Sequence, residues 1–370
     1  MERPRVPTGS AERVAAGPGR PAGSPSLSGV VVLCCGLTTL DVIQEVDAVP
    51  APNEKAVARA LTVTFGGPAA NAAATAVALG ARARLVTSIG SGPVADLVRA
   101  ELATAGVEVV DLAAGSGAAP AVSTVLVTAS TGQRAVVSVN ATRSGELPTV
   151  PAGVLDGVGV VLVDGHHLAS ALEVARSARA VGVPVVHDGG SWKPGLERLL
   201  ALVDHAIVSA DFRVPAGELP ADGSAADGSA ADGSAADGSA ADGSATDGAA
   251  IDGAETGRAS ARVDPRERIL REVASFGPLV VARSDGAGPL LVLEPRASAA
   301  VRSVTVPVDP ARRVVDTVGA GDVLHGAYAA FLGGTCGAVD PVVLLARAAG
   351  VASESVHFAG ARGWVPGYRG

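Results

Sequence analysis

The chain has 370 residues, of which 48% are hydrophobic and 18% are charged, so it can bury a substantial core in one large domain or two small ones. Only 2% of the residues are aromatic, which argues against a stacking surface for single-stranded nucleic acid. Residues 215–262 hold nine acidic residues and two arginines, so this stretch carries −7 of the net charge of −8 and the remaining chain carries −1. A near-neutral body predicts no polyanionic partner.

The first residues and the cysteines indicate in which cellular compartment the protein works. The first 28 residues are rich in Arg, Pro, Gly and Ser and lack the apolar stretch of a signal peptide, which predicts a disordered tail. No run approaches the roughly 18–20 apolar residues of a membrane span. Cys34 and Cys35 are adjacent in an apolar run, and we expect buried thiols rather than a disulfide or zinc pattern. These features predict a cytoplasmic protein without a membrane partner.

Short β-branched runs and glycine-terminated helical segments follow one another through the first 140 residues. The predicted strands are 30–33, 42–48, 56–65, 83–89, 107–112, 121–128 and 134–140, and the predicted helices are 68–79 and 93–105. The last two strands are separated by Ala-Ser-Thr-Gly-Gln, which indicates a hairpin.

Strands and helices alternate cleanly after residue 150. The predicted strands are 158–163, 183–187, 205–209, 278–283, 289–294 and 301–308, and the predicted helices are 168–181, 194–202, 264–275, 320–332 and 340–355. Such alternation predicts an α/β protein whose mostly parallel sheet is covered on both faces.

A low-complexity segment interrupts this pattern. The sequence Ala-Asp-Gly-Ser-Ala occurs five times from Ala221 to Ala245, and two degraded copies end at Glu255. Because large apolar side chains are missing, the segment cannot offset the entropy of ordering itself, and we expect a disordered insertion over about 216–260. Its aspartates do not follow the nine-residue pattern of calcium-binding β-rolls, so we expect no metal site there.

A glycine loop precedes the predicted helix at 320–332. It is contained in Val315-Asp-Thr-Val-Gly-Ala-Gly-Asp-Val323, where Gly319 and Gly321 permit a tight bend. The amides of residues 319–322 would point from a helix N-terminus, which is a geometry that binds phosphate. Asp322 could simply cap the helix, but capping does not explain two glycines and a second acid, Asp316. A carboxylate beside such amides indicates phosphoryl transfer.

Two further glycine turns need an interpretation. Gly66-Gly67-Pro-Ala-Ala-Asn71 opens another helix, where Asn71 either holds a polyol hydroxyl or pairs with a neighbouring loop. Gly90-Ser-Gly92, with Glu108 and Asp111 about 20 residues on, has the outline of a dinucleotide fingerprint, although its strand is not the first in the chain. No Gly-x-x-x-x-Gly-Lys-Ser/Thr occurs, which argues against a P-loop enzyme.

The two glycine motifs carry a family resemblance. Gly66-Gly-Pro-Ala-Ala-Asn-Ala-Ala-Ala-Thr-Ala-Val-Ala-Leu-Gly80 and Asp316-Thr-Val-Gly-Ala-Gly-Asp322 resemble the two signature regions of the ribokinase-like carbohydrate kinases, the phosphofructokinase-B family. The order of predicted elements also agrees from about residue 30 to 366, apart from the insertion. Within the family, the chain is most similar to the ketohexokinase and sulfofructose-kinase branches. The segments that favour the latter are Val185-Val-His-Asp-Gly-Gly190, Val203-Asp-His-Ala-Ile-Val-Ser209 and Gly360-Ala-Arg-Gly-Trp-Val-Pro366.

The resemblance implies a fold and an activity. Residues 29–370 would form a three-layer α/β/α sandwich with a mostly parallel sheet and a small β-sheet lid, built from strands at about 42–65 and 121–140. The enzyme would use ATP and Mg²⁺ to phosphorylate a hydroxyl of a small sugar, with ketoses favoured. Asp322 would be the general base, and Gly319, Ala320 and Gly321 would form the anion hole.

The same resemblance assigns the binding residues. The positions that match the sugar-facing side are Asp41, Gly66, Gly67, Asn71 and Asn140. The positions that match the ATP side are Arg134, Ser284, Gly286, Thr317, Gly319, Gly321 and Val356. A lid-strand edge could also pair two copies into a homodimer.

The chain departs from the family where the family commonly carries Asn-x-x-Glu. Here the sequence reads Ser209-Ala-Asp-Phe212, which leaves Asp211 as the nearest acid for magnesium and leaves a monovalent-cation requirement open. Three other functions therefore stay under consideration: a nucleoside kinase of the same fold, a catalytically impaired sugar-binding protein, and a dinucleotide-dependent oxidoreductase. The side chains of His166, His167 and His187 are expected to line the sugar pocket, with a zinc site that includes Asp188 as the alternative.

Overall fold

The computed structural model describes residues 27–140, 145, 147–220, 264–307, 309–335 and 339–365. The predicted tail up to residue 26 and most of the predicted insertion, from 221 to 263, lie outside these residues. Leu27, which the sequence analysis placed in the tail, is buried in the hydrophobic core that also contains Phe331. The folded domain therefore begins slightly earlier than the composition predicted.

The described residues form thirteen strands and seven helices, and each predicted element occurs within a few residues of its expected place. The strands are β1 Val31–Cys35, β2 Thr39–Val46, β3 Ala60–Gly66, β4 Arg82–Thr87, β5 Val107–Asp111, β6 Ala121–Thr128, β7 Arg134–Ser138, β8 Val160–Val163, β9 Val185–Gly189, β10 His205–Val208, β11 Val280–Arg283, β12 Leu290–Glu294 and β13 Ser298–Val304. The helices are α1 Pro68–Ala78, α2 Pro93–Thr104, α3 Leu168–Ala180, α4 Leu196–Leu200, α5 Pro265–Ala274, α6 Ala320–Gly333 and α7 Pro341–Ser355.

Nine strands form the large sheet in the order β13-β12-β11-β10-β9-β8-β1-β4-β5. All neighbours from β11 to β5 are parallel, whereas β12 and β13 add antiparallel strands at one edge. The predicted α/β architecture with a mostly parallel sheet is confirmed.

Helices cover both faces of this sheet, which explains the continuous apolar runs of its central strands. In β1, Val32 and Cys34 pack in a core with α1, α2, α6 and α7, whereas Val31, Leu33 and Cys35 pack in a core with α3, α4 and α5. Both thiols are buried, as expected, and burial raises the pKa of each well above its usual range. No helix among the described residues is long and apolar enough to cross a bilayer.

A separate four-stranded sheet, in the order β3-β2-β6-β7, forms the lid. Successive side chains of its strands point to opposite faces of the sheet. One face, which includes Asp41 and Ile43 of β2, lines a cavity, and the other face points away from it. The predicted hairpin of β6 and β7 is confirmed, with Val127 opposite Arg134.

One buried carboxylate joins the large sheet to the segment between β1 and β2 and to the start of α1. Asp164 follows β8 and accepts hydrogen bonds from the amides of Leu37 at 2.8 Å, Ala69 at 3.3 Å and His166 at 2.8 Å. Gly36 is required beside it, because a Cβ on Gly36 would lie 2.1 Å from Oδ1 of Asp164. This contact fixes the start of α1 at the carboxyl edge of the sheet, where parallel α/β proteins bind ligands.

Candidate active site

The predicted glycine loop forms a bend directly before α6. Gly319 is the N-cap of α6 and has a φ of 73°, a left-handed conformation that glycine adopts without strain. The amide of Ala320 donates to the carbonyl of Thr317 at 3.3 Å, whereas none of the described residues accepts a hydrogen bond from the amides of Gly319, Gly321 and Asp322. Three of the four amides that the sequence predicted to be unpaired are therefore available to an anion.

Asp322 lies in the first turn of α6, and its side chain does not cap that helix. Its Oδ2 instead accepts a hydrogen bond of 2.7 Å from Nδ2 of Asn71, so the capping alternative is wrong. The side chain is half-buried, and the loss of water around it, together with the nearby Asp188 carboxylate, raises the pKa of Asp322 to about 7. A carboxyl group with such a pKa can exchange a proton near neutral pH.

Asn71 lies one turn into α1 and joins three elements of the site. While Nδ2 contacts Asp322, the Oδ1 atom accepts a hydrogen bond of 2.6 Å from Nη1 of Arg362. The guanidinium of Arg362 also donates to Thr64 and to the carbonyl of Phe65, and it stacks on the Phe65 ring at 3.6 Å from the ring centroid. Asn71 thus contacts both the acid and a neighbouring loop, and one hydrogen of its amide remains for a ligand.

The segment that precedes the glycine loop is held by Asp316 and Val356. Asp316 is buried, and it accepts hydrogen bonds of 2.8 Å from the amides of Val318 and Gly360. The carbonyl of Val356 accepts from the amides of Val315 and Asp316. Asp316, which the sequence left unexplained beside two glycines, therefore shapes the loop through these two amides.

Arg134 of the lid reaches the same loop. Its Nη1 donates to the carbonyl oxygen of Thr317 at 3.1 Å and to Oγ1 of Thr317 at 3.3 Å. The guanidinium is otherwise exposed. The structure therefore brings together two predicted ATP-side residues that are 183 positions apart in the chain.

The predicted sugar-side residues on β2 and at the end of β3 lie close together, with Gly66 against Asp41. A Cβ on Gly66 would lie 1.9 Å from Oδ2 of Asp41, so a larger residue there would displace the Asp41 carboxylate. Gly67 has a φ of 95°, and its Cβ would lie 2.4 Å from the carbonyl oxygen of Leu37. Asp41 accepts a hydrogen bond of 2.6 Å from Thr39, and burial raises its pKa, partly opposed by that hydrogen bond.

A cavity of about 390 Å³ lies between the lid and the loop at 358–363, with Asp41 and Asn71 in its wall. The side chains that line it are a mixture of acids, hydroxyls and apolar groups, including Asp41, Ile43, Glu45, Thr62, Thr64, Asn71, Val127, Asp316, Val318 and Arg362. A pocket of this size with a few converging polar groups is typical of small-molecule sites.

A buried pair of side chains lies behind Asp322. His325, one turn further along α6, has Nδ1 at 2.6 Å from the carbonyl oxygen of Gly321 and 3.2 Å from Oδ2 of Asp188. Its Nε2 lies 3.0 Å from the carbonyl oxygen of Ile207. Both ring nitrogens of His325 therefore face hydrogen-bond acceptors. Burial raises the pKa of Asp188, and His325 opposes that rise.

The three histidines at strand ends do not converge as a metal site. Burial lowers the pKa values of His166, His167 and His187, the last to about 3, and Nδ1 of His187 lies 3.1 Å from the carbonyl oxygen of Val163. Over the described ranges of the chain, no group of three or more His, Cys, Asp or Glu side chains is arranged to hold a metal ion. The zinc alternative that included Asp188 therefore has no geometric support there.

Among the predicted site residues, only Asp41 and Asn71 line the cavity, and Asn71 connects it to Asp322. The remaining ones, Asn140, Ser284, Gly286 and Asp211 among them, lie outside its wall. Asn140 is exposed after β7, with a φ of 45°, and its amide donates to Ser138. Ser284 and Gly286 follow β11, where the amide of Ser284 donates to the carbonyl of Val208 at 2.9 Å. Asp211 is exposed in the turn after β10.

The turn that resembled a dinucleotide fingerprint is filled by the chain itself. The carboxylate of Asp111 accepts hydrogen bonds from the amides of Ile89 at 2.9 Å and Gly90 at 3.1 Å, and it pairs with Arg99 at 2.9 Å. A pyrophosphate would need these amides. The geometry therefore opposes the oxidoreductase alternative.

Sequence reasoning missed two residues that organise the site, Arg362 and Asp164. Arg362 was noted only as part of a C-terminal segment, and its contact with Asn71 spans 291 positions. Asp164 ends an apolar strand, and an acid at the carboxyl end of a buried parallel strand is the signal that could have identified it.

Comparison with known proteins indicates a family and a fold. Residues 31–211 match the family described as pfkB family carbohydrate kinase, a range that ends before the glycine loop. A candidate ribokinase from Agrobacterium tumefaciens has a similar structure, with a TM-score of 0.68 at 20% identity, over 92% of this chain and 94% of that one.

Two other solved structures have the same fold. A fructokinase from Xylella fastidiosa with bound ATP matches with a TM-score of 0.62 at 18% identity, over 91% of this chain and 95% of that one. A nucleoside kinase from Methanocaldococcus jannaschii matches with a TM-score of 0.60 at 15% identity, over 93% and 96%. At these identities the likeness concerns the ribokinase-like fold.

Proposed function

We propose that this chain, which is a carbohydrate kinase of the pfkB family, transfers the γ-phosphate of ATP to a hydroxyl of a small sugar with Asp322 as the general base. The observation that carries the proposal is the position of Asp322. Its carboxylate lies in the first turn of α6, beside three backbone amides that none of the described residues occupies. This arrangement brings together a proton acceptor and a site for the charge of a migrating phosphoryl group.

Asp322 would take the proton from the attacking hydroxyl. Its Oδ2 is held by Asn71, and among the described residues Oδ1 has no hydrogen-bond donor, so Oδ1 is the atom that would face the sugar. With a pKa raised to about 7, the carboxylate is a stronger base than an exposed aspartate, yet a large fraction is ionised at neutral pH. The hydroxyl oxygen would then attack the γ-phosphorus in line, and the β-phosphate oxygen would leave with ADP.

The amides of Gly319, Gly321 and Asp322 would receive the phosphoryl oxygens. A Cβ on Gly321 would meet no atom within 4 Å, so this part of the loop opens on a space that a phosphate can enter. Ala320 adds little bulk beside them. The positive end of α6 favours negative charge at the same place.

The proposed contacts of ATP are Arg134, Thr317, Ser284, Gly286 and Val356. Arg134 is exposed and already lies against Thr317, so a small movement of the lid would aim its guanidinium at the phosphates. Ser284 and Gly286 follow β11 at the carboxyl edge of the sheet and would cradle the adenine nucleotide with Val356. The similar fructokinase from Xylella fastidiosa has ATP bound, which supports this choice of phosphate donor.

The residues present fit a magnesium ion that arrives with the nucleotide. No cluster of three acidic, histidine or cysteine side chains occurs over the described ranges, and Asp211 is a single exposed acid near β10. Mg²⁺ commonly takes one or two carboxylates, with phosphates and water as its remaining ligands, so Asp211 would hold it directly or through water. When bound, the ion would neutralise charge on the phosphates. A monovalent-cation requirement is a separate question that replacing K⁺ in the assay would answer.

The sugar would bind in the cavity between the lid and the loop at 358–363. Asp41 would accept hydrogen bonds from sugar hydroxyls, Asn71 would donate the second hydrogen of its amide, and the backbone at Gly66 and Gly67 would approach the ring closely. Asn140 could reach this site only if the segment after β7 moved toward it. The volume of about 390 Å³ favours a monosaccharide-sized polyol, and we favour a ketose.

The decisive test is ADP release by the full-length enzyme with ATP and Mg²⁺, measured across ketoses, aldoses, sugar phosphates, sulfosugars and nucleosides. We expect turnover with one class of small sugar and none with adenosine. Turnover with nucleosides alone would establish the nucleoside kinase alternative, for which the similar archaeal enzyme is a precedent in fold. Thermal stabilisation by a sugar without ADP release would establish a catalytically impaired sugar-binding protein.

The face of the lid that points away from the cavity supports a homodimer. We define the outer lid face by five exposed apolar side chains, Leu61, Val63, Val122, Val137 and Val139. Val137 is 76% exposed and Leu61 is 64% exposed, and such a concentration of apolar side chains on one small sheet is typical of an interaction surface. A second copy of the same lid, packed face to face, would bury it.

A further inference from the structure

Arg362 is a buried arginine whose polar contacts lie within the protein. Its side chain is about 5% exposed, with Nη1 at 2.6 Å from Oδ1 of Asn71 and Nη2 at 2.6 Å from Oγ1 of Thr64 and 2.7 Å from the carbonyl oxygen of Phe65. The Phe65 ring covers one face of the guanidinium. Although Arg362 lies in the cavity wall, both terminal nitrogens are engaged by the lid strand β3 and by α1.

These contacts permit only one orientation of the Asn71 amide. A guanidinium only donates hydrogen bonds, so the atom of Asn71 that faces Arg362 must be the oxygen. The nitrogen then faces Asp322, whose ionised carboxylate only accepts. If the amide turned over, two donors would meet at Arg362 and two acceptors would meet at Asp322.

We propose that Arg362 is a positioning residue, which holds the amide nitrogen of Asn71 on the carboxylate of Asp322 and thereby keeps the general base ionised. The proposal rests on the proposed function, in which Asp322 accepts the proton of the sugar hydroxyl. The hydrogen bonds of Arg362 that carry the proposal go to Asn71, Thr64 and Phe65, and Asn71 is the link to the acid. The effect of Arg362 passes through one side chain, so it disappears when that side chain is removed.

The charged groups around Asp322 make this contact important. Burial raises the pKa of Asp322 most, and Asp188 of β9 and Asp41 of β2 raise it further. His325 of α6 and the amide of Asn71 act in the opposite direction. The Asn71 amide is the neutral dipole in this set, so its orientation decides whether it stabilises or opposes the charge on Asp322.

The experiment measures the ionisation of Asp322 in the ligand-free protein by NMR of ¹³C-labelled aspartate carboxyl groups, with Asp322→Asn used to assign the signal. The variants are Arg362→Gln, Arg362→Lys, Asn71→Ala and the double variant Arg362→Gln/Asn71→Ala. Arg84, a half-buried arginine on β4 that pairs with Glu108 outside the site, provides the control Arg84→Gln. Thermal unfolding checks that each variant is folded.

We expect Arg362→Gln to raise the titration midpoint of Asp322 by about one pH unit, since a hydrogen bond to a charged group commonly contributes that much. Arg362→Lys, which keeps one donor for Oδ1 of Asn71, should fold most readily and shift the midpoint less. Asn71→Ala should raise the midpoint, and adding Arg362→Gln to it should cause no further shift. Arg84→Gln should leave the midpoint unchanged.

Two results overturn the proposal. If folded Arg362→Gln and Arg362→Lys titrate like the wild type, Arg362 does not position the base. If Arg362→Gln shifts the midpoint equally with and without Asn71, the arginine acts on Asp322 directly through its charge. Because the titration needs no substrate, it remains informative even if no sugar is phosphorylated, and loss of turnover across the substrate panel would then refute the proposed function alone.

Discussion

Gly319 packs directly against Ala361, since a Cβ added to Gly319 would lie only 2.3 Å from the Cβ of Ala361. The two residues belong to the loop before α6 and to the segment after α7, which also carries Arg362. Because Gly319 has a φ of 73°, both the conformation and the close contact require glycine. The contact therefore fixes the position of the glycine loop relative to Ala361 in the cavity wall.

We expect Gly319→Ala to lose both stability and activity. The left-handed conformation costs a residue with a Cβ about 1–2 kcal/mol, and the overlap with Ala361 adds to that cost. In Gly321→Ala the added methyl meets no atom within 4 Å, so the melting temperature should stay near the wild-type value while turnover falls, because the methyl enters the proposed phosphate space. Differential scanning fluorimetry and ADP release measure the two effects. Equal melting temperatures for the two variants would contradict the packing argument.

We expect Asp322→Asn to bind nucleotide normally while its turnover falls by about 10²–10⁴, which is the usual contribution of a general base. Isothermal titration with ATP and steady-state ADP release measure binding and turnover separately. Asp96→Asn, an exposed aspartate on α2, is the matched control and should behave like the wild type. Near-normal turnover in Asp322→Asn would remove this residue from the mechanism.

Local sequence patterns predicted most of the fold because each strand and helix is determined largely by neighbouring residues. The strand 121–128 and the start of α1 at Pro68 are found at the predicted positions. The strand predicted at 42–48 covers Thr39–Val46 in the structure. The prediction started after Asp41 because an acid interrupts the apolar run, but the side chain of Asp41 faces the cavity and not the core. The strand predicted at 56–65 begins at Ala60, because the apolar residues before it are largely exposed and Val57 is 91% exposed.

The site was harder to predict because its contacts join distant parts of the chain. The motifs identified Asn71 and Asp322 separately, yet their hydrogen bond spans 251 positions and no local pattern encodes it. The role of Asp316 depends on the amide of Gly360, and the role of Asp164 on the amides of Leu37 and Ala69. Such partners follow from the packing of the whole sheet, which a single sequence does not specify.

The raised pKa of Asp322 predicts how both activity and stability depend on pH. The base must be ionised, so kcat/KM should rise with pH and level off above about 7. The stability of the fold depends on pH in the opposite direction. The folded protein holds the proton of Asp322 more tightly than the unfolded chain, so the associated stabilisation is present at low pH and is lost as pH rises from 3.8 to about 7.

Asp322→Asn removes this pH dependence and provides the control. Its melting temperature should exceed that of the wild type by about 2–4 °C at pH 8, where the wild type carries a partly buried charge, and by less at pH 5. Thermal unfolding at the two pH values measures the difference. A variant that is less stable than the wild type at pH 8 would show that the ionised carboxylate stabilises the fold.

We expect Val137→Asp to abolish the proposed homodimer. Val137 is 76% exposed on the outer lid face, and a charge there would be buried without a partner when two lids pack together. Light scattering after size exclusion should give the mass of one chain for the variant and of two for the wild type. Val343→Asp, on an exposed position of α7 outside the lid, should leave the dimer intact. A monomeric wild type at micromolar concentration would refute the proposal.

We expect deletion of residues 221–255 to leave melting temperature and turnover within error of the wild type. The elements on either side are anchored independently of the repeat, since Phe212 after β10 and Leu270 of α5 are fully buried in the same core. The shortened connection from Pro220 to the Asp264 cap of α5 would still contain eight residues from 256 to 263. A control in which the deleted segment is replaced by a Gly/Ser linker of equal length separates the effect of length from that of composition. A drop in turnover in both variants would show that the acidic repeat itself contributes to catalysis, for instance by supplying carboxylates near Asp211.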